Sequence, residues 1–306
     1  MGKVAFVFPG QGSQQVGMGR AANDDARGHA VFAAADAALG DSISQLCFEG
    51  PDSELQLTAN SQPAILITSI ALLRVFDEKC DVVAGHSLGE YSANVAAGTL
   101  PFEEAVVLVR KRGRYMQDAV PLGKGAMAAV LALDAAVVER ICSEVPGIVV
   151  PVNYNCPGQL VIAGESQAVT DALTALAAAG AKTRQLPVSA PFHCELMRPA
   201  EDRLEPDLRA ARWSAPHLPI YVNVTAEPVT SAEDARTALV HQVSRPVRWQ
   251  QTVERMLADG VTLIVEIGPG RVLTTMIKRI DKTVERVNVE TPADVENARA
   301  AVARHR

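Results

Sequence analysis

Apolar positions fall into two kinds of run along the chain. Residues 3–8 (KVAFVF) are a continuous apolar stretch of strand length, followed by the glycine-rich segment PGQGSQQVGMG. Residues 62–76 (QPAILITSIALLRVF) have the length and apolar load of a core helix. Residues 81–85 (DVVAG) predict a short strand that stops at Gly85-His86-Ser87-Leu88-Gly89. A helix resumes over 88–97, and another runs over 102–118, where Val106, Val107, Val109 and Tyr115 are mixed among basic residues. Later, HLPIYVNVT and VTLIVEIG read as strands, and GPGRVLTTMIKRI as a loop entering a helix. Strands alternating with helices predict an α/β fold with a largely parallel sheet.

The middle of the chain has a different order. GAMAAVLAL is strand-like, and DAAVVERICSEV is a helix with Asp134 at its N-cap. IVVPVNYN and QLVIAG, joined by CPG, form a hairpin. ESQAVTDALTALAAAG is a helix closed by Gly180, and AKTRQLPVS is a last strand. The order β-α-β-β-α-β is the split βαβ arrangement of ferredoxin-like units. It places a small inserted domain at 125–188 within a large α/β domain made of 1–124 and 189–306.

Composition narrows the classes of function. Of 306 residues, 48% are hydrophobic but only 4% aromatic, so the apolar content is mainly Ala, Val and Leu, as in helices packed on a sheet. A net charge of −6 argues against nucleic acid as a partner. Within this reading no apolar run reaches the roughly 18–20 residues of a membrane span. The N-terminal run reads as a first strand rather than a signal peptide, and Phe6 stands where a myristoylation signal wants Ser or Thr. The five cysteines are scattered with no CxxC pair, as expected of reduced thiols in a cytosol, and no histidine spacing suggests a metal.

The candidate chemistry centres on Ser87. Gly85 to Gly89 match G-x-S-x-G between a strand and a helix, the setting of a nucleophile elbow. A sharp turn would lift the hydroxyl above the sheet edge, and the Leu88 N–H at the helix start could hold an oxyanion. A plain Gly-Ser turn fits the same five residues. A serine nucleophile needs a base. His86 should point away along the turn, to pack or orient it. His193, in a loop after the inserted unit, is better placed; His217 belongs to a surface loop, and His29, His241 and His305 have no strong context. GQGSQQVG fails the dinucleotide pattern because Gln15 takes the third glycine position, and no GK[ST] follows, so neither NAD nor ATP is implied.

Eight segments in order carry a family resemblance: FVFPGQGSQ, GHSLGEYSA, KRGRYMQ, GAMAAV, NYNCPGQLVIAG, PFHCELM, VSRPVRW and EIGPGRVL. Together, from residue 4 to about 290, they resemble the malonyl-CoA:acyl carrier protein transacylases. The resemblance implies an α/β-hydrolase-like large domain with a parallel-sheet core and an inserted ferredoxin-like small domain. It implies Ser87 as acylated nucleophile and His193 as its base and acid, steered by a backbone oxygen rather than a carboxylate. Gln11 and Leu88 would hold the oxyanion through their N–H groups. Gln242 would order the pocket, Arg112 would clamp the malonyl carboxylate, and His86, Met116 and Phe192 would complete the substrate-binding set. A planar, permanently charged fork suits that carboxylate in a way Lys does not. Phe192 and Cys194 depart from the Ser that many stand-alone members carry at these positions.

The implied reaction is ping-pong transfer of malonyl from malonyl-CoA to holo acyl carrier protein by a cytoplasmic monomer. No metal or bound cofactor is called for, because CoA and phosphopantetheine are parts of the substrates. Acidic carriers would dock on basic groups, with Arg110, Lys111 and Arg114, or Lys278, Arg279 and Lys282, as candidates. The alternatives are a trans-acting acyltransferase of a polyketide synthase or malonate decarboxylase system, a serine esterase or thioesterase, and a non-catalytic carrier-binding module. Arg112 argues against an esterase of neutral substrates, and the Ser87–His193 pair against a binding module.

Overall fold

The computed structural model describes residues 2–188 and 190–306. Met1 and Ser189, at which two of the expected segment limits fall, lie outside the described residues. Two sheets organise the chain. The larger has β1 (Lys3–Phe8), β2 (Val82–Gly85), β7 (Ile220–Tyr221), β8 (Pro228–Val229), β9 (Val261–Ile267) and β10 (Glu285–Val289), in the order β10-β9-β1-β2-β7-β8. All neighbours are parallel except the edge pair β7–β8. Its central strands are apolar on both faces because helices cover both. Along β1, Val4, Phe6 and Phe8 enter one core while Ala5 and Val7 enter the other; along β9, Leu263, Val265 and Ile267 join the first and Val261 and Ile264 the second.

The smaller sheet contains β3 (Gly125–Leu131), β4 (Val149–Cys156), β5 (Gln159–Glu165) and β6 (Lys182–Gln185), antiparallel throughout, in the order β4-β5-β3-β6. Helices Ala135–Glu144 and Ser166–Ala178 share a core with one face, through Ala126, Ala128 and Val130 of β3. Met127, on the other face, joins the core of the larger region. Pairing of Asn153 with Val247 ties the small sheet to the segment after the Ala232–Gln242 helix. Asp134 does precede its helix, but its side chain makes no capping bond; its carbonyl accepts from Val137 and Val138. Gly180 ends the second helix in the left-handed region, at φ 98°.

Three elements depart from the sequence reading. The helix expected over 62–76 starts at Thr58. Its first turns, TANSQ, are mostly polar, yet Thr58, Ser61 and Gln62 are buried: Thr58 Oγ1 accepts from Gln11, Ser61 Oγ donates to the Thr58 carbonyl, and Gln62 lines the cavity described below. At 19 residues, Thr58–Phe76 is also long and apolar enough to cross a membrane, contrary to the expected absence of any such run, but 78% of its most apolar window is buried in the protein. The strand read in HLPIYVNVT shrinks to Ile220–Tyr221, because Asn223 leaves the ladder: its N–H donates to Glu90 and its carbonyl accepts from Arg248. Strand β6 stops at Gln185, and Leu186, Pro187 and Val188 instead line a cavity.

Candidate active site

Sheet register assembles the site. Phe8 pairs with Gly85 at the carboxyl ends of β1 and β2, so the loop after β1 lies beside the serine turn. The His86 N–H donates to the Phe8 carbonyl at 3.0 Å. A Cβ on Gly85 would stand 1.9 Å from the Gly89 carbonyl carbon, and one on Gly89 would stand 2.0 Å from the Phe8 carbonyl oxygen. Both flanking positions therefore require glycine. Ser87 itself takes φ 51°, in the left-handed region that non-glycine residues seldom enter. Its N–H donates to Asn223 Oδ1 at 2.6 Å, and Asn223 Nδ2 donates to the Gly85 carbonyl at 2.7 Å, so one side chain clasps both ends of the strained turn. Leu88 precedes the Gly89–Ala96 helix. Among the described residues, neither the Leu88 N–H nor the Gln11 N–H has a hydrogen-bond partner.

The Ser87 hydroxyl lies 2.7 Å from Nε2 of His193. Nδ1 of the same ring lies 2.7 Å from the backbone carbonyl of Gln242. A carbonyl only accepts, so Nδ1 carries the proton and Nε2 presents its lone pair to the hydroxyl. Desolvation first, and the neighbouring Arg112 cation second, push the His193 pKa down to about 3. The imidazole is neutral, the form that can accept a proton. His193 also sits at φ 65°.

Arg112 comes from the Phe102–Asp118 helix and is fully buried. It donates to Gln62 Oε1 at 2.8 Å, to Gln242 Oε1 at 2.9 Å and to Ser87 Oγ at 3.1 Å, and its guanidinium lies 5.6 Å from the Tyr91 ring centre. Desolvation lowers its pKa, while Tyr91 and Glu90 oppose that shift. Gln242 is the hub beneath. Its Nε2 donates to the Ser87 carbonyl at 3.0 Å and to Glu90 Oε2 at 2.8 Å. A neutral base on a hydroxyl, two unpartnered amides beside it and a buried cation on the same oxygen together suit acyl transfer from a negatively charged acyl group.

Comparison with known proteins agrees. The acyl transferase domain family matches residues 5–300. A malonyl CoA-acyl carrier protein transacylase of Escherichia coli is 46% identical over 304 residues, covering 96% of this chain and 97% of that protein. The chain belongs to the malonyl CoA-acyl carrier protein transacylase family. The transacylase from Coxiella burnetii superposes with a TM-score of 0.95 at 41% identity, over 97% of this chain and 96% of that one. A malonyl-transacylase solved in complex with a type II polyketide synthase acyl carrier protein gives 0.94 at 45%, over 97% and 98%.

Most residues expected from the transacylase resemblance meet at one cavity of about 490 Å³. Gln11, His86, Ser87, Arg112, Met116, Phe192 and His193 all line it. Gln242 and Leu88 do not: both side chains are fully buried beneath, and each reaches the site only through what it holds or through its backbone. His86 lines the wall but its Nε2 is 2.9 Å from Asn155 Oδ1, across to the small sheet, and its ring is edge-on to Trp249. The sequence reading missed Gln62, Glu90, Asn155 and Asn223, amides and a carboxylate that carry no recognisable pattern on their own. Two docking candidates are corrected. Arg110 is buried and paired with Asp41 at 3.1 Å, and Lys111 is paired with Asp207 at 2.6 Å, so neither is a free surface charge. Lys278, Arg279 and Lys282 are exposed. Among the described residues no group of three or more His, Cys, Asp or Glu could hold a metal ion.

Proposed function

We propose that this protein transfers malonyl from malonyl-CoA to the phosphopantetheine thiol of an acyl carrier protein, through an ester on Ser87. The observation that carries this reading is Arg112. Its guanidinium is buried, touches the Ser87 hydroxyl, and contacts no carboxylate among the described residues. A buried cation without such a contact is costly, and a carboxylate arriving with the acyl group would satisfy it.

His193 takes the Ser87 proton as the hydroxyl attacks the thioester carbonyl. The Leu88 and Gln11 N–H groups receive the oxyanion. The tetrahedral intermediate collapses, the C–S bond breaks, and His193 returns the proton to the departing CoA thiolate. The malonyl ester remains with its free carboxylate on Arg112. The carrier thiol then gives its proton to His193 and attacks the ester, and that proton finally restores the Ser87 hydroxyl. In this scheme CoA and phosphopantetheine are parts of the substrates, and no resident cofactor is required.

The same reading takes residues 1–124 and 189–306 as an α/β-hydrolase-like domain and 125–188 as a ferredoxin-like insert, supported by the β4-β5-β3-β6 order. It places a monomer in the cytoplasm in fatty acid synthesis. A polyketide carrier is the second reading, favoured by the relative solved with one.

Intact-protein mass spectrometry after brief mixing with malonyl-CoA tests the proposal. A malonyl adduct is expected on the wild type and not on Ser87→Ala. Release of CoA with no adduct would point to hydrolysis instead.

A further inference from the structure

Arg112 has one buried carboxylate near it, and it is not in contact. Glu90 follows the serine turn on the Gly89–Ala96 helix and is fully buried. The side-chain amide of Gln242 stands between the two, accepting from Arg112 at 2.9 Å and donating to Glu90 Oε2 at 2.8 Å. The Asn223 N–H also donates to Oε2, at 2.8 Å, while Oε1 has no hydrogen-bond partner among the described residues. All the bonds of this carboxyl thus sit on one oxygen. A proton can be added to the other without breaking any of them.

We infer that Glu90 is the resident counter-ion of Arg112, and that it takes up a proton when an acyl group bearing a carboxylate is loaded on Ser87. The inference rests on the function proposed above. With the site empty, Arg112 and ionised Glu90 offset each other across Gln242. When the malonyl carboxylate settles on Arg112, a second anion enters the same dry region and the attraction holding Glu90 ionised is cancelled. Glu90 is poised for this, since burial has already pushed its pKa up to about 7 against the opposing pull of Asn223, Gln242 and Arg112. Other charges do not replace Arg112 in this role. Tyr91, on the same helix, is held un-ionised by burial. Lys3 opens β1 at the end away from Phe8, Arg74 of the Thr58–Phe76 helix is exposed, and Arg110 of the Phe102–Asp118 helix and His241 of the Ala232–Gln242 helix turn to Asp41 and Glu201. The proton comes from solvent or buffer. No bond of the acyl transfer itself is altered.

The test is single-turnover loading by malonyl-CoA in weakly buffered solution at about pH 8, with a pH indicator and mass spectrometry in parallel. Close to one proton is expected to be taken up per acylated site, beyond any change from free CoA, and this uptake is expected to be lost in Glu90→Gln. Infrared difference spectra of the wild type with carbon-13 malonyl-CoA supply a readout that needs no variant: a new protonated-carboxyl band, unshifted by the label. Full acylation with no uptake and no such band overturns the inference while leaving the proposed function intact. Absence of the adduct overturns the proposed function and, with it, this inference.

Discussion

Gln242 holds His193 by its backbone, with its carbonyl oxygen 2.7 Å from Nδ1, while its side chain serves Arg112 and Glu90. The His193 ring is thus oriented by a group that no side-chain substitution removes. Gln242→Ala is expected to leave the Ser87–His193 pair in place and to deprive Arg112 of one partner. Loss of a hydrogen bond to a charged group costs about 1.5–3 kcal/mol, so kcat/KM for malonyl-CoA should fall about 10- to 100-fold. Loading by a neutral acyl-CoA should fall less. Equal losses for the two substrates would mean that Gln242 acts on the base and not on the cation.

Arg112→Lys keeps a positive charge but not the fork that reaches Gln62, Gln242 and Ser87 together. Both Arg112→Lys and Arg112→Ala are expected to cut malonyl loading by about 100-fold or more, since a charge-assisted pair in a dry site is lost. The ratio of malonyl to acetyl loading, measured by mass spectrometry, should collapse toward one. A retained preference for malonyl would assign its carboxylate to another group.

His193 sets a pH dependence whose sign follows from its position. Its pKa in the fold, about 3, lies below the 6.5 of a free histidine. The stability it contributes is complete above about pH 6.5 and is lost as pH falls toward 3, because the unfolded chain binds the proton first. By pH 5 the loss is about 2 kcal/mol. Glu90 has the opposite sign: its raised pKa favours the fold below 4.5, and that gain is lost as pH rises through about 7. Comparing urea unfolding of the wild type and His193→Ala across pH 5–7 isolates the histidine. Nitrogen-15 spectra should show a neutral, Nδ1-protonated ring over that range, and in Arg112→Ala the titration should move up.

Legibility differed between the two halves of this site. The elbow was readable because Gly85, Ser87 and Gly89 fall within five residues, with both glycines forced by backbone collisions and a serine held between them. The alternating strands and the middle β-α-β-β-α-β order were readable because burial on one or both faces writes itself as periodicity. The support beneath was not readable. Glu90, Gln62 and Asn155 belong to three separate elements and Asn223 to a turn, far apart in the chain, and a buried amide looks the same in sequence as an exposed one. Asn223 lay in an apparent strand whose ladder it breaks. Arg110 and Arg112 sit two residues apart in one basic run, yet one turns to Asp41 and the other into the cavity. That distinction came from the family resemblance, not from helical spacing.

The glycines offer a structural test that does not depend on turnover. A methyl group at Gly89 would meet the Phe8 carbonyl at 2.0 Å, and one at Gly85 would meet the Gly89 carbonyl carbon at 1.9 Å. The colliding atoms are backbone, and Phe8 is held in place by its pairing with Gly85 at the end of the β1–β2 ladder. Gly123 also has a positive φ, 79°, but nothing lies within 4 Å of its would-be Cβ. Gly123→Ala should therefore cost only the conformational penalty, about 1 kcal/mol, or about 1–2 °C in Tm. Gly89→Ala should exceed about 4 kcal/mol, or displace the turn enough to separate Ser87 from His193. Thermal unfolding of the two variants, with malonyl loading measured on whatever folds, distinguishes them. Equal Tm losses would mean that the contact of Gly89 with the Phe8 carbonyl relaxes at little cost and does not hold the turn.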